Sequence, residues 1–181
     1  MMKLDRLAPA TALLCTLCWL SSCGAATTHR SDREQAAANL LDDWHLAAAE
    51  ADAARYFGHF AQGAVFVGTD ATERWDLPAF KAFAAPYFSR GKAWTYKASV
   101  RHINLSGDGD VAWFHEQLHN HKYGQVRGSG VLLWQGGGWH IAQYVLSFPI
   151  PNGVAGKVIE LVRSPPPRKA LSPPAKAPEA R

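Results

Sequence analysis

Between residues 32 and 152 the chain changes from one hydrophobic rhythm to another. In "DREQAAANLLDDWHLAAAEAD", Leu40, Leu41, Trp44 and Ala48 recur near the helical period with acids on the other side, which predicts a helix that Asp32 can cap. "AARYFGHFA" continues as a second, short helix, with Tyr56, Phe57 and Phe60 on its apolar side and Gly58 limiting its length. "AVFVG", Ala64 to Gly68, is short and β-prone. After a charged turn, Asp76 caps a third helix, Pro78 sits in its first turn where a missing N–H costs little, and Pro86 should end or kink it. Four strand-like runs follow: 94–105, 111–121, 126–134 and 139–148. Their connectors "SGDGD", "KYGQ" and "QGGG" are sensible hairpin turns. This order predicts an α+β layer, with helices covering one face of a curved sheet, and contains no internal repeat.

The ends follow neither rhythm. Lys3 and Arg6 precede an apolar run over residues 7–20 that closes in "SSC", the parts of a secretory signal; the run is short and broken by Pro9, a poor bilayer span. "LSSC", Leu20 to Cys23, resembles the lipobox of bacterial lipoproteins, which implies cleavage before Cys23 and lipid on its sulfur. An ordinary signal with a chance cysteine is the alternative. The only cysteines are Cys15, Cys18 and Cys23, so the folded part holds no thiol, disulfide or cysteine metal ligand. The expected organisation is a signal peptide over 1–22, a linker over 23–31, one domain over 32–152 and a Pro-rich, basic, disordered tail over 153–181. Localisation would then be the cell envelope, through a lipid anchor, on the periplasmic face of the outer membrane in a Gram-negative host.

Charge changes the picture by where it lies. The stretch from Ser164 to Arg181 holds six prolines, four basic residues and one acid. With residues 1–23 it accounts for the formal net charge of +4, leaving the middle near neutral. A nucleic-acid-binding domain would carry its basic surplus in the folded part, so that function is excluded. The tail reads as a linker or as a segment that touches anionic lipid.

Two places carry candidate chemistry. Asp70-Ala-Thr-Glu73 has capping-box spacing, with Glu73 reaching back to Asp70 and Arg74 close to both. The competing reading sets Asp70 or Glu73 at a pocket rim, where burial raises a carboxyl toward a useful base. On the strand over 111–121, Ala112, Phe114, Glu116 and Leu118 share the core side. A carboxylate between Phe and Leu must find a partner or change protonation state. Arg127 is a diagonal candidate across the hairpin, and Gln143 shares a face with Trp139, Ile141 and Val145. We therefore expect Glu116, Arg127 and Gln143 inside a cavity walled by Trp75, Trp94 and Phe114, with Asp70, Glu73 and Arg74 near its mouth. Glu116 or Asp70 would serve as general base and Arg127 would stabilise an enolate-like charge. The alternative is an internal salt-bridge network that binds nothing. His115, His119 and His121 share the outer strand face at roughly 7 Å per same-side step, with no acid beside them; no metal site and no cofactor are expected. Ser129 in "RGSGV" lies within a strand, unlike a nucleophile elbow.

This order, with "AVFVGTDATERW", "AWFHEQL", "RGSGVLLW" and "GWHIAQY" in these places, resembles the SnoaL-like branch of the nuclear transport factor 2-like superfamily over residues 32–152. The resemblance implies a cone-shaped fold in which N-terminal helices pack on a strongly bent antiparallel sheet around a pocket, with homodimer pairing through the sheet's outer face. It also implies a choice among functions. The first expectation is a domain that binds a small, partly apolar molecule in an enclosed pocket. The alternatives are a cofactorless isomerase, cyclase or dehydratase, and a structural dimerisation module. In the family's steroid isomerases the catalytic acid lies in the turn after the corresponding strand; the nearest positions here are Gly68 and Thr69, with Asp70 just beyond.

Overall fold

The computed structural model describes residues 21–164, with side chains from Arg30 onward. The expected signal cleavage, the side chain of Cys23 where lipidation is expected, and the tail from residue 165 lie outside these described residues. Helix α1 (Ser21–Ala49) leads into α2 (Ala53–Gly58), β1 (Phe60–Val67), β2 (Arg74–Asp76), α3 (Leu77–Phe88) and the strands β3 (Lys97–Leu105), β4 (Val111–Asn120), β5 (Gly124–Gln135) and β6 (Gly138–Ser147). A 3-10 turn at Asn152–Val154 and helix α4 (Ala155–Arg163) follow. No helix among the described residues is long and apolar enough to cross a membrane.

The six strands form one curved sheet in the order β2-β1-β6-β5-β4-β3. β3 to β6 are an antiparallel meander, whereas β1 lies parallel to β6. The parallel pair arises because β1 precedes the meander and closes its far side, so the sheet is mixed where an antiparallel one was expected. β2, which the patterning missed, is three residues long and held by β1 through Val65, Phe66 and Val67. Ala37, Leu41, Trp44 and Ala48 on α1, Tyr56 on α2 and Phe80 and Ala84 on α3 pack on the inner sheet face.

Three local differences from the patterning have physical causes. α1 begins well before Asp32, which is an exposed mid-helix residue. The early turns are fastened to the β3–β4 hairpin, because Arg30 donates to the Leu105 carbonyl at 3.0 Å and Arg33 to the Gly109 carbonyl at 2.6 Å. Pro86 sits inside α3, two residues from its end, where one lost backbone bond is tolerated. Residues 155–163, assigned above to the disordered tail, form α4 instead, since the prolines begin only at Pro165 and "AGKVIELVR" alternates apolar and polar residues at helical spacing. The cap at Asp76 is as expected: its Oδ1 accepts from the Ala79 N–H at 2.8 Å.

Candidate functional site

Glu116 is fully buried on the inner face of β4. Its Oε2 accepts from Arg101 Nε at 2.9 Å, and its Oε1 accepts from Tyr144 Oη at 2.9 Å and meets His45 Nε2 at 2.8 Å. Arg101 extends the chain of contacts to α1, with Nη1 2.8 Å from Asp42 Oδ1 and 3.1 Å from the Ala38 carbonyl. Burial alone would push the Glu116 carboxyl up, but the hydrogen bond and charge of His45, with those of Arg101, outweigh it and hold the carboxyl below its ordinary value. With Glu116 ionised, His45 donates from Nε2. Tyr144 moves the other way: burial first, then the neighbouring carboxylate, keeps its phenol protonated well above the usual range. The cluster is an ionic knot joining α1 to three strands, in which every Glu116 oxygen is engaged and Arg101 Nη2 alone is left buried without a partner among the described residues.

Two glycines make this knot possible. A Cβ on Gly128 would lie 2.1 Å from Tyr144 Oη and 2.8 Å from Glu116 Oε1. A Cβ on Gly130 would lie 2.2 Å from the Gln143 carbonyl and 3.0 Å from the Phe114 ring. The "RGSG" stretch is therefore a gap in the inner face of β5 through which Tyr144 reaches the acid.

The reachable feature lies elsewhere. A cavity of about 640 Å³ runs between the inner sheet face, α3 and the segment before β3. Phe66, Trp75, Phe80, Phe83 and Trp94 line it, and Phe66 stacks on Phe80 at 4.0 Å between ring centroids. Trp75 stacks on Phe83 at 4.7 Å. Its mouth is open, where an enclosed pocket was expected: Phe83 and Tyr87 are 37% exposed, Phe148 46% and Tyr123 49%. Tyr96 also lines it; burial, then the neighbouring Tyr123, pushes its phenol up to about 12, so it remains a protonated donor, and its side chain makes no hydrogen bond among the described residues.

The sequence-predicted residues divide between these places. Glu73, Trp75 and Trp94 line the cavity. Asp70 is exposed in the turn before β2, where its Oδ1 accepts from the Thr72 N–H at 2.9 Å while Glu73 Oε2 accepts from the Asp70 N–H at 3.1 Å. The reach-back of a capping box is thus present, but it closes a turn between strands rather than a helix. Glu73 Oε2 also fills the space beside Gly68, where a Cβ would lie only 2.3 Å from it. Arg74 is exposed, alternating with Trp75 on the short strand β2. Glu116 and Phe114 are buried behind the cavity wall and do not line it.

Arg127 and Gln143 do not join Glu116. Glu116 stands opposite Gly128, and Arg127, one position away, projects from the other face of the sheet. In β5–β6 the register slips between Val131 and Leu132, whose partners are Gln143 and Ile141. The bulge at Ala142 turns Gln143 outward and Tyr144 inward. Of the residues missed, His45 and Arg101 had partial signals and Tyr144 did not. His45 lies four residues from Leu41 on the same helical face. The tight "SGDGD" hairpin pairs Leu105 with Ala112 and hence Arg101 with Glu116. Only Tyr144 had none, because a bulge cannot be read from alternation. Among the described residues no group of three or more metal-ligating side chains is present.

The helical layer on a curved six-stranded mixed sheet, with a cavity between them, is the NTF2-like fold. Residues 37–151 match the model of the SnoaL-like domain, and the chain belongs to that family. No curated protein matches it. Among solved structures, it is similar to an NTF2-like protein of unknown function from Pseudomonas putida KT2440, at 17% identity and a TM-score of 0.54, over 70% of this chain and 90% of that one. It is similar to a function-unknown protein from Mycobacterium tuberculosis at 17% identity and a TM-score of 0.57, over 74% of this chain and 79% of that one. A third, an NTF2-like protein of unknown function from Shewanella baltica OS155, gives 16% identity and a TM-score of 0.52, over 66% and 97%. At these identities the likeness is one of fold.

Proposed function

We propose that this chain is a small-molecule-binding domain of the cell envelope, which holds a partly apolar ligand in the aromatic cavity without chemistry of its own. One observation carries the reading: the reachable space is aromatic and open, while the strongest acid–base candidate is sealed away from it. A general base must come within hydrogen-bond reach of the proton it removes. Glu116 is fully buried and committed to Arg101, Tyr144 and His45, with its carboxyl held low. Mass spectrometry of the protein purified under native conditions tests the reading. A stoichiometric small molecule, lost when Trp75 and Phe83 are both replaced by Ala, supports it; an unliganded mass alone, with no ligand captured from a metabolite extract, counts against it.

A catalytic reading has one observation in its favour: Glu73 is the carboxylate that lines the cavity. Turnover of a bound ligand that Glu73→Gln abolishes would establish it. Export and lipid attachment at Cys23 belong to the proposal and rest on the residue pattern before Gly24. Cys23→Ala should then release the protein from the membrane fraction. Pairing of two copies through the outer sheet face is likewise proposed, supported by Trp113 and Val100, which stand 49% and 41% exposed there; Trp113→Glu should leave a monomer.

A further inference from the structure

The polar groups of the cavity are unevenly placed. Its acid, Glu73, projects from the turn before β2 and is already engaged by the Asp70 N–H. Lys92, His121 and Lys122 line it from elsewhere. The strand order separates β2 from β4 by four strand spacings, roughly 19 Å along the sheet, so the hairpin after β4 stands on the side away from Glu73. Asn120 Nδ2 donates to the Thr95 carbonyl at 2.9 Å, which ties the segment carrying Lys92 to that hairpin. Among the described residues neither lysine has a carboxylate within ion-pair distance. Lys122 Nζ instead lies 5.0 Å from the Tyr123 ring centroid.

The aromatic wall has its own geometry. Trp75 lies 23° from parallel with Phe83 and 25° from Phe80, and Phe80 lies 29° from Trp94. Rings this close to parallel offer a face to a flat guest. Such a wall by itself would also suit a cation, through the negative faces of the rings. Two unpaired lysines at the rim decide against that, since they repel a cation and attract an anion.

We propose that the cavity takes a flat aromatic monocarboxylate, its rings against Trp75, Phe83 and Trp94 and its carboxylate at Lys92 and Lys122. This rests on the ligand-binding reading above and adds the charge and shape of the guest. The test uses the full chain and three probes of equal shape and different charge: naphthoate, naphthalenemethanol and naphthylmethylammonium, titrated by calorimetry. Naphthoate should bind about fivefold more tightly than the alcohol, as two exposed ion pairs allow. That advantage should shrink as salt is raised. It should vanish in the double variant K92Q/K122Q, with alcohol binding and melting temperature unchanged. Equal binding of alcohol and carboxylate, or tightest binding of the ammonium, overturns the inference while leaving the ligand-binding reading intact. Failure of all three probes overturns both.

Discussion

The knot around Glu116 and the cavity beside Trp75 share the inner side of one sheet and are built on opposite principles. In the knot, side chains from α1, β3 and β6 converge on one acid of β4, and Glu116 has no exposed surface. In the cavity, Phe, Tyr and Trp rings form the largest part of the wall, the mouth stands open, and Tyr96 keeps a donor unused. Conspicuous charge on an apolar strand thus marks where the helix is fastened to the sheet. A guest would meet the quieter aromatic positions of β2, α3 and the segment before β3.

If that division holds, stability and binding should respond to different residues. The largest loss of stability should follow Glu116→Gln, which leaves the Arg101 guanidinium with only the exposed Asp42 carboxylate as counter-charge. Removing one member of a buried pair costs about 3–5 kcal/mol, read by denaturant unfolding. The acid limb of the stability curve should change with it. Because the Glu116 carboxyl is held below its ordinary value, its contribution is complete above about pH 4.5 and is lost as pH falls through the lowered native value. The Gln variant should flatten that limb, and an unchanged acid profile would deny the knot its ionic role.

Gly128→Ala should come next, at about 1–3 kcal/mol, since the new methyl displaces Tyr144 from the acid. Asp76→Ala removes a helix cap and should cost about 1 kcal/mol. Glu73→Gln, in an exposed turn, should change stability by at most about 0.5 kcal/mol. A reversal of this order, with Glu73 costing more than Gly128, would break the contrast between a structural knot and a dispensable rim.

Much of the fold was legible because its elements obey simple periods. The cap at Asp76, the inner face of β4 and the hairpins after β3 and β5 follow from pattern and turn chemistry. The site was legible only in part, and the reasons are geometric. Glu116 was visible as an acid on an apolar face, but its partner was sought on β5, whereas the tight hairpin at Ser106–Asp110 delivers Arg101 from β3 in direct register. Gln143 was set inward by strict alternation that the Ala142 bulge interrupts. Gly128 and Gly130, on either side of Ser129, leave room for Tyr144 and Phe114, a need that only the neighbouring strands reveal. The cavity itself joins residues from β1, β2, α3 and the β4–β5 hairpin, and no local spacing announces such a meeting.

The central claim is that guests enter among the aromatic rings and never reach the buried acid. Following the tryptophan indole N–H resonances of the full chain while naphthoate is added tests it directly. Trp75 and Trp94, which line the cavity, should move with saturation, while Trp44, packed 4.5 Å from the Tyr144 ring in the core, should stay still. Movement confined to Trp44, or displacement of the Gly128 amide beside Glu116, would place the guest at the knot and contradict the account.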